Sequence, residues 1–393
     1  MKSNELLIFF SLLVIISYLM EFIAKKTRIS SVFMLLSLGI GLQYFTKLFD
    51  LKTLPISQIL PLLGTVGLIM IVLEGALELK ISSERTKPIL KIIGISAIIT
   101  LVTICLISAI FYNYFGSSLR DSVLNAVPFS IISSAIAIPT ASNFSEFRRE
   151  FIVYESSISD VLGILVLNMA MQEDFPSIGT SVFLLYEIIL ISGIALLLCF
   201  LLLYLLENIN SHIKFFLIIS IIILAYGFAK NLHLSALLIV LIFGLFINNT
   251  GVFIPQKLLP FFKTDRLTKE LNFFKSISSE SSFIIRTFFF VFFGYSINLN
   301  DFSNIENIKI AGILISIIFS IRLLGFLILS RRLTYPIFLI GPRGLINILL
   351  YLSIPINLKI KAVNQSVLIM VITMSIIILI FGGFAPKNEI KQI

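Results

Sequence analysis

Ser156 and Asp160 are oxygen-bearing side chains near the start of a largely apolar run, "YESSISDVLGILVLNMAM" at 154–171. Their spacing of four residues places the hydroxyl and the carboxylate on one face of a helix. A hard monovalent cation accepts such oxygen ligands once it sheds its water. Because burial favours the neutral form of a carboxyl group, the same carboxylate can hold a proton instead. We therefore expect Asp160 to carry either ion, unless it pairs with an arginine as a structural link.

Glu155 lies inside the same run, where a charge costs from about 2.5 kcal/mol upward. Five residues correspond to about 140° of rotation on a helix, so Glu155 and Asp160 occupy different faces. We expect Glu155 to form a structural ion pair with Arg322 or Arg343, which also lie within apolar segments.

Two further charges lie within apolar runs. Arg286 cannot lose its charge, so it either neutralises a carboxylate at the ion site or reaches the cytoplasmic interface. Glu187, in "VFLLYEIILISG", has no partner that the sequence suggests.

The elements that position these groups follow from composition. With 58% hydrophobic and 13% charged residues among 393, the chain has more apolar surface than a soluble domain can bury. Runs long enough to cross about 30 Å of hydrocarbon recur along its length. The sequence therefore predicts an all-α polytopic membrane protein with about thirteen transmembrane helices, near 5–24, 30–48, 57–78, 90–114, 122–142, 151–171, 180–206, 213–230, 234–249, 281–299, 308–330, 335–354 and 365–384.

The net charge of +9 does not indicate nucleic-acid binding, because the basic residues are scattered over short loops. Lys and Arg are concentrated in the loops after odd-numbered segments and in the C-terminal tail. The positive-inside rule then predicts an external N-terminus and a cytoplasmic C-terminus. We expect a multi-pass protein of a prokaryotic inner membrane, with no soluble regulatory domain.

Two predicted spans contain helix breakers near their middle. Pro139 interrupts the fifth, "SSAIAIPTASNF", and Gly341, Pro342 and Gly344 interrupt the twelfth, "LIGPRGLIN". Either break alone is explained by a kink that neighbouring helices repair. Breaks at corresponding places in both halves are instead typical of inverted-repeat transporters, whose discontinuous helices form the ion site. We expect crossing helices broken near 138–142 and 340–344.

Four segments in fixed order carry a family resemblance. They are "IMIVLEGALELKISSERTKPILKIIG" at 69–94, "ESSISD" at 155–160, "FFFVFFGYSINL" at 288–299 and "GPRGLINILLYLSIP" at 341–355. The set resembles the third-span segment and the G-E-S-x-x-N-D, F-F-x-x-x-G-x-x-L and G-x-R-G-x-x-x-L-x-x-x-L-x-x-P motifs of monovalent cation:proton antiporters. The resemblance spans most of the chain, and the combination is more specific than any one motif.

The resemblance implies one transmembrane antiporter domain over 1–393, acting as a homodimer. Its core helices would lie near 90–171 and 308–384, and its dimerisation scaffold near 5–78 and 180–249. Asp160 would be the essential ion-carrying carboxylate. The candidate cation ligands around it are Ser156, Ser159, Thr140 and Glu74, and the charge-compensating residues are Glu155, Arg286, Arg322 and Arg343.

Two departures from the family pattern affect the expected ion chemistry. Thr140, Ala141 and Ser142 stand where the sodium-exchanging branch has Thr-Asp-Pro, and Ser159 stands where it has Asn. With one carboxylate left at the crossing, we expect electroneutral exchange of one H⁺ for one cation. Na⁺, K⁺ and Li⁺ all remain open.

The sequence thus predicts a secondary active transporter, not an enzyme, whose partners are cations, protons and the lipid bilayer and which needs no cofactor. An intramembrane glycan polymerase or ligase would also be long, apolar and rich in aromatic residues, as this chain is with its 37 Phe. It would need a large external loop with catalytic groups, whereas the external loops are short. A cation channel would need a continuous pore lined by polar residues.

Overall fold

The computed structural model describes residues 3–27, 31–48, 56–78, 86–141, 144–208, 214–232, 234, 236–249, 264–297, 303–329 and 335–383. Within these ranges the chain is helical and forms no strand. The first seven helices are α1 Ser3–Thr27, α2 Ser31–Leu48, α3 Ile56–Glu78, α4 Thr86–Phe115, α5 Leu119–Ser130, α6 Ser134–Ala141 and α7 Glu146–Met171. The others are α8 Ile178–Asn208, α9 Lys214–Asn231, α10 Ala236–Asn248, α11 Thr264–Tyr295, α12 Ile305–Leu329, α13 Leu345–Ser353 and α14 Gln365–Gly383.

These helices follow the thirteen predicted segments in order and position, with α5 and α6 together forming the fifth segment. The all-α membrane fold is confirmed. Among the described residues, five helices are long and apolar enough to span a membrane, at 90–115, 186–204, 269–295, 305–329 and 365–382. Shorter apolar helices occupy 10–23, 33–48, 62–77, 215–231 and 236–248. The main shift is in α11, which begins at Thr264 and not near 281.

The fifth segment is broken, but not where Pro139 predicts. Helix α5 ends at Ser130, residues 131–133 are extended, and α6 continues through Pro139 to Ala141. A proline removes only one backbone donor, whereas the extended residues find new partners outside their own helix. The Ser133 amide donates to the Pro342 carbonyl at 2.7 Å, and the Ile132 amide donates to the Ser159 hydroxyl at 3.0 Å. Ser142, in the same prediction, lies outside the described residues.

The break in the twelfth segment lies where Gly341, Pro342 and Gly344 predict it. A 3₁₀ turn at Ile337–Leu339 leads into a non-helical stretch at 340–344, and α13 starts at Leu345. A Cβ on Gly344 would lie 2.6 Å from the Ser133 hydroxyl oxygen. The two unwound segments therefore approach more closely than a larger residue would allow.

The helices pack in two groups. One group contains α4 to α7 with α12 to α14, and the other contains α1 to α3 with α8 to α11. The most extensive packing within the second group is that of α11 on α2 and α3. Between the groups, α3 contacts both α6 and α13. The expected division into core and scaffold helices stays a prediction.

Candidate ion site

Asp160 lies in α7 beside the broken fifth segment. Its side chain is only 7% exposed, and its Oδ1 atom is buried with no hydrogen-bond partner among the described residues. The hydroxyl of Ser134, the first residue of α6, hydrogen-bonds to the carboxylate. Asp160 therefore faces the N-terminal end of a helix, where the helix dipole favours negative charge. An unpaired buried carboxylate oxygen costs free energy unless an ion or a proton occupies it.

The three hydroxyl groups predicted as cation ligands make two kinds of hydrogen bond: two act as donors, and one acts as an acceptor. Ser156 donates to the Ile152 carbonyl at 2.9 Å, and Thr140 donates to the Ile136 carbonyl at 2.8 Å. Because both hydroxyls act as donors to their own helices, their lone pairs are left for a cation. The Ser159 hydroxyl instead accepts the Ile132 amide, which ties α7 to the extended residues.

Glu155 and Arg322 form a buried bidentate ion pair. The distances are 2.7 Å from Arg322 Nη1 to Glu155 Oε1 and 3.2 Å from Nη2 to Oε2. Both residues are 1% exposed. Arg322 also donates to the backbone carbonyls of Ile337, Phe338 and Ile340 before the second break.

Arg343 bonds to backbone atoms rather than to a carboxylate. Its guanidinium donates to Gly341 in its own unwound segment and to Phe129 and Ser130 at the end of α5. The last carbonyls of a helix lack partners within the helix, and a cation there also complements the helix dipole. Arg343 therefore acts as a cap on α5 supplied by the opposite broken helix.

Asn347 is a site-building residue that the sequence reasoning missed. Its amide nitrogen donates to the carbonyls of Pro128 and Ile131, both at 2.7 Å, and its amide oxygen accepts the Gly344 N–H at 2.6 Å. It joins the two broken helices at their crossing and is completely buried. The signal available was an amide within the apolar run "GLINILLYL".

Glu74 is held by α11, with Ser279 and Ser282 donating to its two carboxylate oxygens at 2.7 and 2.6 Å. Arg286 lies 3.9 Å from the same carboxylate. The next residue, Gly75, is adjacent to Ser134, since a Cβ there would lie 3.7 Å from the serine hydroxyl. Glu74 is thus next to the crossing, with its carboxylate hydrogen-bonded to the serines of α11.

Glu187 is buried in α8, where its side chain is 3% exposed. Helix α8 packs mainly on α10, in the group that does not contain Asp160. The structure therefore places this carboxylate in the helix group that does not carry Asp160.

Comparison with known proteins gives a family match. The sequence model described as "Sodium/hydrogen exchanger, transmembrane" matches residues 9–385. No curated protein sequence matches the chain.

Two solved structures share the fold. The sodium proton antiporter MjNhaP1 from Methanocaldococcus jannaschii at pH 8 superimposes with a TM-score of 0.72 at 20% identity, covering 98% of this chain and 100% of that one. An electron-microscopy structure of the same antiporter gives a TM-score of 0.71 at 20% identity, covering 98% and 96% of the two chains.

Proposed function

The chain belongs to the sodium/hydrogen exchanger family, and from this premise we propose that H⁺ and a monovalent cation compete for Asp160. The protein is a secondary active transporter, and Na⁺ or K⁺ is the exchanged cation. The observation that carries the assignment of the site is the buried Oδ1 of Asp160, which has no hydrogen-bond partner within the described ranges.

The competition between H⁺ and the cation follows from the negative charge of the Asp160 carboxylate. A lone carboxylate in a low-dielectric site is stable when neutralised, by a bound proton or by a cation held with nearby oxygens. Ser156 and Thr140 supply hydroxyl oxygens, and Glu74 supplies carboxylate oxygens on the scaffold side, while its own charge is balanced by Arg286. Holding both ions at once would leave an uncompensated positive charge.

Neighbouring ionisable groups support one-for-one exchange. Glu155 already has Arg322 as its partner, and Arg343 is fixed by backbone carbonyls. Residue 141, next to Thr140, is a buried alanine. One carboxylate then exchanges one H⁺ for one cation, and transport is electroneutral.

Alternating access requires the crossing to face each side of the membrane in turn. The contacts between the two helix groups are few compared with those inside each group. We infer that the group with Asp160 moves as a unit against the other, which forms a homodimer. The protein resides in the cell membrane of a prokaryote, with its N-terminus outside and its C-terminus cytoplasmic.

The test uses proteoliposomes that hold a pH-sensitive dye and an imposed proton gradient. Addition of Na⁺ or K⁺ dissipates the gradient with the parent protein and not with Asp160→Asn. Asp174→Asn, the same chemical change in an exposed turn, serves as the matched control. Exchange by Asp160→Asn at the parent rate would refute the assignment. A cation current without proton movement would indicate a channel.

A further inference from the structure

A cavity of about 520 Å³ lies between α4, α5 and α7, apart from the ion site. Its walls are mainly apolar and include Leu101 and Ile104 of α4, Val123 of α5 and Val166 of α7. Its size falls in the range of about 300 to 1,000 Å³ that is usual for small-molecule sites.

The cavity wall contains a hydroxyl that the fold leaves unpaired. Ser108 is 3% exposed, and its Oγ has no hydrogen-bond partner among the described residues. Two other buried hydroxyls of α4 bond to the carbonyl four residues earlier, Ser96 to Ile92 at 2.8 Å and Thr103 to Ile99 at 2.7 Å. A buried donor without a partner is costly, so the cavity suits a ligand that accepts one hydrogen bond.

The residues around the cavity indicate that its ligand comes from the lipid bilayer. Val102 and Leu106, at a spacing of four residues, are 41% and 46% exposed on a helix apolar enough to span the bilayer, so this face of α4 meets lipid. Tyr112 and Tyr114 are exposed near the end of α4, as aromatic residues are at membrane interfaces. Ser108 lies one turn, about 6 Å along the axis, inside Tyr112. Ser108 therefore lies at the depth where the acyl chains of the lipids meet their headgroups.

We propose that this cavity binds one acyl chain of a phospholipid, with the Ser108 hydroxyl donating to the ester carbonyl. The chain fills the apolar space, and the headgroup lies near Tyr112 and Asn113 at the rim. Helix α5 leads into the extended residues 131–133, and α7 carries Asp160. The lipid therefore packs between helices that hold the ion site.

The first test is photocrosslinking in liposomes of phosphatidylethanolamine and phosphatidylglycerol that contain a diazirine-acyl phosphatidylglycerol. Adducts of the parent protein should be concentrated in peptides from 101–113 and 119–123. Ser108→Phe fills the cavity and should abolish the adducts on cavity-lining residues such as Ile104 and Val123, located residue by residue, while adducts on Val102, which meets bulk lipid, should persist. Leu106→Phe, at a lipid-facing position of the same helix, should keep the cavity adducts. Equal adduct yields for Ser108→Phe and the parent would overturn the proposal.

The second test keeps the cavity shape and removes only the donor. Cys105 also lines the cavity, and in a Cys199→Ala background it reports occupancy through its labelling by a hydrophobic maleimide. Added phosphatidylglycerol should slow labelling of the detergent-purified protein. Ser108→Ala should weaken this protection about fivefold, the effect of one hydrogen bond. Unchanged protection in Ser108→Ala would refute the assigned contact. Neither test measures transport, so a failure here is distinct from a failure of the proposed exchange.

Discussion

The guanidinium of Arg322 holds the carboxylate of Glu155 at 2.7 Å, while an oxygen of Asp160 on the same helix has no hydrogen-bond partner in the part of the chain that the structure describes. Two carboxylates five residues apart are thus in opposite situations. A bidentate buried pair has no vacant oxygen for a transported ion. The fold therefore separates a paired carboxylate from one with an open oxygen along α7, as the proposed competition at Asp160 requires.

Removal of one partner of this pair should destabilise the protein. Arg322→Ala leaves the Glu155 charge buried and also deprives three carbonyls of donors, so it should cost more than Glu155→Gln. Loss of one member of a buried ion pair costs about 3–5 kcal/mol. Thermal unfolding in detergent measures the difference, with Arg149→Ala, an exposed charge on the same helix, as the control. Glu155→Gln combined with Arg322→Met should lose clearly less than the sum of the two single losses, because no buried charge is left unpaired although the three carbonyls still lack donors. A purely additive loss would contradict the pairing.

Asn347→Ala should weaken the crossing of the broken helices. The substitution leaves the carbonyls of Pro128 and Ile131 and the amide of Gly344 without their partner, at about 1–3 kcal/mol for each buried group. We expect lower thermal stability and a lower exchange rate. Asn347→Asp keeps the acceptor but not the donors, so it should rescue neither property. Parent-like exchange in both variants would show that the crossing does not depend on this side chain.

Gly163→Ala should displace the extended residues beside Asp160. A Cβ on Gly163 would lie 1.9 Å from Cδ1 and 2.4 Å from Cγ1 of Ile131, a fully buried side chain, so Ile131 must shift. Ile131→Ala removes the clashing atoms and should restore exchange in the double variant. Gly193→Ala, where nothing lies within 4 Å, is the matched control and should exchange like the parent. A double variant as inactive as Gly163→Ala would contradict a steric cause.

Local sequence predicted the helices and one of the two breaks. Gly341, Pro342 and Gly344 disfavour helix by themselves, so the second break was visible without the fold. The break at 131–133 was not, because Ile131, Ile132 and Ser133 unwind only where Asn347, Ser159 and Pro342 supply new hydrogen-bond partners. These partners are distant in the sequence, so the local sequence around residues 131–133 does not indicate a break. The only local signal in this segment was Pro139, and the break predicted there was wrong.

The sequence alone could not decide whether Arg322 or Arg343 pairs with Glu155, because the pairing also depends on contacts between distant parts of the chain. Arg322 and Arg343 both lie in apolar segments of the second half of the chain. The sequence contains no spacing rule between helices so far apart. Phe151 of α7 contacts Phe326 of α12, one turn from the pair on each helix, and Arg322 thus reaches the carboxylate while Arg343 bonds to the carbonyls of α5.

The final prediction concerns pH and tests the competition itself. A carboxylate that must lose its proton to bind a cation binds more weakly as pH falls. In the acidic range, where Asp160 is mostly protonated, the cation concentration for half-maximal exchange should rise about tenfold for each pH unit lost, because one proton is displaced. At higher pH the dependence should vanish, since no proton remains to displace. The measurement is dye quenching in proteoliposomes across a series of Na⁺ and K⁺ concentrations at each pH. A rise near a hundredfold per pH unit would mean two displaced protons and a second titrating group, which would exclude one-for-one exchange at a lone Asp160.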